Sequence, residues 1–424
     1  MLPSTIAICT LAVMLVAYSI PRIPLVITTV LAMLAMPMFG IVSFPVAFSG
    51  FSNMAIFLII GMTIVGRAFF TTGLAERTAN ILFRFVGTNE KHFVGVVLIV
   101  AGFLGIFLNA TVVVAMIMLI IDCIVVQSDG AITRKQTYFP LGVASVLGNN
   151  LTTISATSMI AAAGIVSASG QGEMTIFTPT LVNLPAFLVV IVLYMVCGYS
   201  LQQKFFDFPE IPVVDPFEKQ RKSQLEPKKW KMVLTVIVLV VMITSMVLEV
   251  NYGACALLGA SVLILTGCID DKEAFRCVSW PTVFIVASAI GFSQGLEASG
   301  AGVIIADFIV NLCGPLGNSP FAMCVILFFI GSLLSNVMSD NATVAIIVPI
   351  ALMLAKVMAC DPMPLVLATA SGVKVAVCTP ISVAPMTMVQ VGGYRFKDYL
   401  KIGGLVNIVT MIVTCIAIKV IYYM

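Results

Sequence analysis

The chain has 424 residues, of which 60% are hydrophobic and only 10% charged, and its formal net charge is +3. A soluble globular domain carries about 25% charged residues, so this composition excludes one and indicates a polytopic membrane protein of the all-α class. Its eleven cysteines are scattered through apolar runs and His92 is the sole histidine, which leaves a zinc or disulfide framework without ligand spacing. The basic residues sit in loops, where they report membrane orientation, and we expect no nucleic-acid partner.

The first part of the chain predicts four uninterrupted spans, one hairpin and one broken helix. Residues 71–91 alternate apolar and charged residues at helical spacing, which predicts an amphipathic helix along the membrane interface. The first hairpin runs from about Phe93 to Val126 and turns at Asn109, Ala110 and Thr111. A polar interruption at 148–158 inside an apolar segment then predicts the first broken helix. The uninterrupted spans are expected near residues 5–20, 23–39, 54–70 and 179–199.

A polar linker separates two similar parts of the chain. Residues 202–231 are rich in Lys, Glu, Asp and Pro, and they divide the chain into an N-terminal part, 1–201, and a C-terminal part, 232–424. The second hairpin spans Gly331 to Ile350, and the second broken helix spans Ala370 to Pro385. The remaining spans of this part are expected near residues 232–248, 254–268, 282–296 and 402–420.

The two parts carry an internal repeat. The residues Asn-Ala-Thr-Val begin at Asn109 and again at Asn341, 232 positions later, and a weaker match at an offset of 227 runs from Gly40 to Gly73. Similarity held in register predicts a repeat. Each part has five crossings and one re-entrant hairpin, and an odd number of crossings inverts the second repeat. Because the basic residues cluster on the side of the linker, we expect a cytoplasmic linker and both termini outside the plasma (inner) membrane.

The hairpin tips and helix breaks predict a binding site for a small anion. Polar backbone at membrane depth is tolerated only where protein or water covers it, and helix N-termini present free N–H groups and a positive dipole end to an anion. Exposed carbonyl oxygens at the same breaks suit Na+. The alternative is that the tip residues only cap their turns. The predicted substrate-binding residues are Asn109, Thr111, Asn341, Thr343, Ser155, Thr157, Thr379, Ser382 and Lys374, and the predicted sodium ligands are Asn149, Asn150, Thr152, Ser339 and Asp340.

One segment matches a catalytic motif and is rejected. Gly291 to Gly295 reads G-x-S-x-G, the pattern of a serine hydrolase, but that chemistry needs a base after the serine, and His92 lies far before it. No P-loop, HExxH or GxGxxG motif is present. The chain is therefore predicted not to be an enzyme and to use no cofactor.

Three stretches in this order resemble the divalent anion:sodium symporters, a family of dicarboxylate, citrate and sulfate carriers within the ion transporter superfamily. They are Ala47 to Asn53 followed by Thr72 to Arg77, the second hairpin, and Cys378 to Pro385 followed by Gly393 to Tyr399. The resemblance covers nearly the whole chain. It implies a homodimer in which each protomer has a scaffold domain and a transport domain that moves as an elevator.

The hairpin tips depart from the pattern of that family. Family members carry Ser-Asn-Thr at each tip, where this chain has Ser339-Asp340-Asn341 and Phe107-Leu108-Asn109. Such tips also resemble the Asp-Asn type of arsenite carriers and sodium/proton antiporters of the same superfamily.

Lys374 is a basic residue deep inside a predicted membrane segment, four residues before the break at Cys378. A charge there costs about 2.5–3.5 kcal/mol and needs compensation. The resemblance implies a sodium site at this position, with a small residue in place of the lysine. We therefore expect the Lys374 ammonium to stand in for a sodium ion and to pair with Asp340 or with a substrate carboxylate. The alternative is a lysine that snorkels to the interface.

The predicted function is secondary active transport of a small anion, with a di- or tricarboxylate as the expected substrate, either coupled to Na+ or as an exchanger. A cation/proton antiporter or arsenite-type carrier is the alternative within transport. A membrane-bound hydrolase or an assembly factor is the alternative from another class, and it needs a catalytic group that the sequence does not show.

Overall fold

The computed structural model describes residues 2–18, 23–74, 89–128, 131–210, 229–248, 251–314, 317, 319–336, 338–380 and 383–423. These residues are helical and contain no strand. Five helical stretches among them are long and apolar enough to cross a membrane, and a bent pair with a 52° angle makes a sixth. The described structure thus confirms an all-α chain with several apolar helices. Most of the predicted interfacial helix at 71–91 and most of the linker lie outside the described residues.

The helices of the first part agree with the predicted spans. The last two form one continuous stretch, because a π-helical turn at Tyr194–Gly198 joins them. The helices are Pro3–Tyr18, Leu25–Met38, Phe44–Phe48, Met54–Thr71, Glu90–Phe107, Ala110–Gln127, Arg134–Asn149, Thr157–Ser169, Thr178–Leu193 and Tyr199–Phe205.

The second part contains two helices that the sequence analysis did not predict. Asp271–Cys277 is short and charged, but its acidic residues lie in the first turn and Arg276 in the last, which suits the helix dipole. Ala301–Cys313 is apolar but too short to have been taken for a span. The principal helices here are Lys229–Val247, Tyr252–Leu265, Asp271–Cys277, Trp280–Ala298, Ala301–Cys313, Pro320–Ser335, Asp340–Val357, Pro362–Lys374, Ala384–Val389 and Gly404–Tyr422.

Helices from the two parts pack against each other and share one hydrophobic core. Leu25–Met38 packs on Trp280–Ala298, Met54–Thr71 packs on Tyr252–Leu265, and Thr178–Leu193 packs on Gly404–Tyr422. Burial of apolar side chains from both parts forms this core.

Each hairpin lies against the broken helix of its own part at backbone distance. Glu90–Phe107 packs along Arg134–Asn149, and a Cβ atom placed on Gly148 would lie 2.1 Å from the carbonyl oxygen of Gly102. Pro320–Ser335 packs along Pro362–Lys374 in the same way, with Gly372 in the position of close approach. Only a residue without a Cβ fits such a contact. These contacts hold each hairpin tip beside the break of its neighbouring helix.

Candidate functional site

The second arm of each hairpin begins at its tip with a capped N-terminus. Ala110–Gln127 is capped by Asn109, whose side-chain oxygen accepts a hydrogen bond from the Thr111 amide at 3.0 Å. Asp340–Val357 is capped by Ser339, whose hydroxyl accepts from the Ala342 amide at 3.4 Å. The broken helices restart at Thr157 and at Ala384.

All four of these N-termini border one cavity of about 1050 Å³. The cavity extends from the hairpin tips to the charged helix Asp271–Cys277 and to Arg67 on Met54–Thr71. Free N–H groups at helix N-termini favour negative charge. The charged lining among the described residues has one more cation than anion, namely Arg67, Lys272, Arg276 and Lys374 against Asp270, Glu273 and Asp340.

A buried ion pair borders the cavity at the second tip. Lys374 Nζ lies 3.2 Å from Asp340 Oδ2, and the two residues are only 7% and 9% exposed. The other carboxylate oxygen of Asp340 accepts a hydrogen bond from the Ser335 hydroxyl at 2.7 Å. Of the two partners expected for Lys374, the structure places Asp340 beside it, and the lysine side chain is buried in the protein.

Side-chain hydrogen bonds join the second hairpin to its broken helix. Asn336 Oδ1 accepts from the Cys378 amide at 3.2 Å, and the Thr379 hydroxyl donates to the Asn336 carbonyl at 3.0 Å. Asn407 Nδ2 donates to the Val375 carbonyl at 2.7 Å and so ties the last span to the break.

The first hairpin is joined to its broken helix by a corresponding set. The Thr152 hydroxyl donates to the Ile106 carbonyl at 2.8 Å, and the Ser155 hydroxyl donates to the Gly105 carbonyl at 2.7 Å. Asn149 Nδ2 donates to the Leu108 carbonyl at 3.2 Å. These bonds satisfy tip carbonyls that a turn at membrane depth would otherwise leave without donors.

Several buried polar atoms near the tips have no hydrogen-bond partner within the described part of the chain. They are Asn149 Oδ1, both amide atoms of Asn150, and Asn341 Oδ1. Buried polar atoms in proteins are normally paired, so these atoms are candidates for contact with a ligand or water. Asn109, Ser155 and Thr157 also border a second cavity of about 20 Å³, close to the size that one water or one small cation needs.

The predicted site residues separate into two groups in the structure. Seven of them line the large cavity, namely Asn109, Thr111, Thr157, Ser339, Asp340, Asn341 and Lys374. Others face inward and make hydrogen bonds within the protein. Thr343, for example, is fully buried, and its hydroxyl donates to the Ser339 carbonyl at 3.0 Å. Thr379, Thr152, Ser155 and Asn149 make the framework bonds above. The Asn150 side chain is buried and has no hydrogen-bond partner among the described residues, and Ser382 lies outside them.

The sequence analysis missed the charged wall of the cavity. Arg67 and Glu273 form an ion pair across it, with Arg67 Nε 2.7 Å from Glu273 Oε1. The charge run at 270–276 beside a predicted span was the available signal.

In the described residues no group of three or more His, Cys, Asp or Glu could hold a metal ion. Ser293, the serine of the rejected motif, lies buried inside the helix Trp280–Ala298, which lacks the sharp strand-to-helix turn of a hydrolase.

Discontinuous helices that meet around a charged cavity, inside an apolar helical protein, define a membrane transporter. The family model described as the citrate transporter matches residues 11–372, and the chain belongs to this family. Its members are transporters and not enzymes.

Curated relatives of the chain are also transporters. The chain is 22% identical to the sodium-dependent dicarboxylate transporter SdcS of Staphylococcus saprophyticus, over 93% of this chain and 82% of that protein. It is 25% identical to sodium/sulfate cotransporter 1 of Chlamydomonas reinhardtii, over 44% of this chain and 22% of that protein. An uncharacterized transporter of Synechocystis is 26% identical, and the match covers only 33% of its length.

Neisseria gonorrhoeae MtrF, described as one of a class of antimetabolite efflux pumps, has the same fold. Its structure superposes with a TM-score of 0.62 and 13% sequence identity, covering 100% of this chain and 95% of MtrF.

Proposed function

We propose that this protein is a secondary active transporter of small anions, with di- or tricarboxylates as substrates, driven by a Na+ gradient or working as an exchanger. The observation that carries the proposal is the convergence of three helix N-termini and the Lys374 ammonium on one cavity. The three helices are Ala110–Gln127, Thr157–Ser169 and Asp340–Val357. N–H groups and a fixed cation stabilise an anion there without a compensating metal ion.

The substrate class and the coupling ion also draw on the relatives. One of them is named a sodium-dependent dicarboxylate transporter, and another a sodium/sulfate cotransporter. Sulfate and carboxylates accept hydrogen bonds from the same donors, so the cavity suits both. Unpaired oxygens at Asn149 and Asn150 are the candidates for a Na+ ligand set.

We propose further that the chain is built from two inverted repeats, 1–201 and 232–424, joined by the cytoplasmic linker 202–231. Five crossings and one re-entrant hairpin make up each repeat. Support comes from matching contacts in the two parts: Thr152 and Thr379 donate to hairpin carbonyls, and Asn183 and Asn407 donate to carbonyls at the breaks. With termini outside the plasma (inner) membrane, the cavity opens to the cytoplasm on the side of Asp271–Cys277.

The transport step is proposed to be elevator-type alternating access within a homodimer. Each hairpin and its broken helix touch through glycine backbones, so they move as one body, the transport domain. The interleaved spans of 25–71 and 252–298 would form the scaffold domain against which it slides.

Uptake into proteoliposomes tests the function. Labelled succinate, citrate and sulfate are offered with an inward sodium gradient, without one, and with unlabelled anion trapped inside. We expect saturable uptake of at least one carboxylate that the gradient or the trapped anion accelerates. Failure to bind or transport any member of a carboxylate panel would refute the proposal.

A cation/proton antiporter or an arsenite-type carrier is the second candidate, because Asp340 lines the cavity at the second tip. Both oxygens of that carboxylate already accept hydrogen bonds, from Ser335 and Lys374, which leaves it poorly placed to bind a cation. Sodium-driven proton release from the same vesicles, without carboxylate uptake, would favour this candidate.

A further inference from the structure

The two broken helices carry different chemistry close to their contacts with the hairpins. A glycine in each helix touches its hairpin backbone, Gly148 in the first and Gly372 in the second. Two residues beyond the first glycine lies the neutral amide of Asn150, whereas two residues beyond the second lies the ammonium of Lys374. The second tip therefore carries a fixed positive charge where the first carries none.

The Lys374 ammonium has unused donors that border the cavity. An ammonium group donates up to three hydrogen bonds. Within the described residues Asp340 Oδ2 is its only acceptor, at 3.2 Å, and the side chain lines the cavity while remaining almost fully buried. Two N–H groups are thus free for a ligand that enters the cavity.

Asp340 holds that ammonium in position. Its carboxylate is fixed by the Ser335 hydroxyl and lies in the first turn of Asp340–Val357, where a helix N-terminus stabilises negative charge. The ion pair therefore leaves the positively charged ammonium at the wall of the cavity, where a ligand can contact it.

We propose that Lys374 is a substrate-binding residue, whose free N–H groups bind a negatively charged group of the transported anion, and that this fixed cation removes the need for sodium at the second hairpin. The inference rests on the proposed function as an anion transporter, and it names the residue that binds the negatively charged group of the substrate. Sodium coupling, where it operates, is then confined to the first hairpin.

The test measures anion binding to the purified protein by calorimetry, in sodium and with sodium replaced by choline. Lys374→Gln removes the charge, and Lys374→Arg keeps it. Lys356→Gln is the matched control, because Lys356 lies in the last turn of Asp340–Val357, forms an ion pair with Glu297 and does not line the cavity. We expect Lys374→Gln to weaken binding at least tenfold, the loss of a hydrogen bond to a charged group. Lys356→Gln should bind like the wild type, and Lys374→Arg should recover part of the affinity.

Wild-type affinity in a folded Lys374→Gln variant would overturn the proposal. Lys374→Gln leaves the buried Asp340 carboxylate without its partner, and this charge could unfold the protein. In that case the double variant Lys374→Gln with Asp340→Asn, which has no uncompensated charge, is measured instead. The wild type supplies a test that needs no variant. We expect its anion affinity to depend hyperbolically on the sodium concentration. A steep sigmoidal dependence would contradict a second tip that binds no sodium. A wild type that binds no anion would instead refute the proposed function itself.

Discussion

Replacing Gly148 with Ala tests whether the contact between hairpin and broken helix holds the site together. Real Cβ atoms essentially never approach another heavy atom more closely than 3.0 Å, and here a Cβ would lie 2.1 Å from the Gly102 carbonyl oxygen. That oxygen belongs to the backbone of a packed helix and cannot turn aside. The two helices must therefore separate by about 0.9 Å or more.

Such a separation breaks the hydrogen bonds that cross the same contact. They are the bonds from Asn149 at 3.2 Å, Thr152 at 2.8 Å and Ser155 at 2.7 Å to carbonyls of the hairpin. Overpacking costs roughly 1–3 kcal/mol and each lost hydrogen bond roughly 0.5–1.5 kcal/mol. The expected loss in the free energy of unfolding is therefore roughly 2.5–7.5 kcal/mol.

Reversible unfolding in mixed micelles, followed by tryptophan fluorescence, measures this loss. Gly404→Ala is the matched control, since a Cβ there meets no atom within 4 Å, and we expect it to be neutral or slightly stabilising. Gly372→Ala should be as damaging as Gly148→Ala, because its Cβ would lie 2.3 Å from the Phe328 carbonyl oxygen. A Gly148→Ala protein as stable as the Gly404→Ala control would refute the reasoning.

Three further outcomes are expected. Asn109→Ala should weaken anion transport roughly tenfold to a hundredfold, as removal of a donor to a charged group predicts, in initial-rate uptake measurements. In a cysteine-free background and intact cells, impermeant maleimide should label Glu173→Cys but not Lys397→Cys, because the basic side is cytoplasmic. Partial burial raises the pKa of Glu210, whose carboxylate accepts from the Arg134 amide at 2.7 Å. The folded state binds this proton more tightly than the unfolded chain, so docking of residues 207–210 should weaken as the pH rises through the raised pKa, seen by hydrogen exchange.

Each of these expectations has its own control. Asn109→Ser keeps a side-chain oxygen that can cap the helix but loses the amide donor, so normal transport in Asn109→Ser with loss in Asn109→Ala would assign Asn109 to turn capping alone. Labelling of Lys397→Cys in intact cells, with Glu173→Cys protected, would reverse the topology. Glu210→Gln cannot titrate, and a pH response that it leaves unchanged would assign the effect to another group.

The sequence by itself was sufficient to predict the uninterrupted spans and the location of the tips. A membrane span must satisfy its own backbone hydrogen bonds and cover them with apolar side chains, so each span is a local property of the chain. The same holds for the breaks at 148–158 and 370–385, where polar residues interrupt an apolar run, and helices end or restart in both. Lys374 was recognisable as a buried charge that needs a partner, with Asp340 as one of two expected partners, because a lone charge is costly at that depth.

Only the tertiary structure decided which residues line the cavity. Thr343 and Thr111 both follow an Asn-Ala pair, yet the first is fully buried against the Ser339 carbonyl whereas the second lines the cavity. The charged helix Asp271–Cys277 joins the same wall only because the spans of the two parts interleave. Which side of a helix faces a cavity depends on contacts between residues hundreds of positions apart, such as Arg67 with Glu273. Hydropathy and motif spacing are local quantities and carry no information about those contacts.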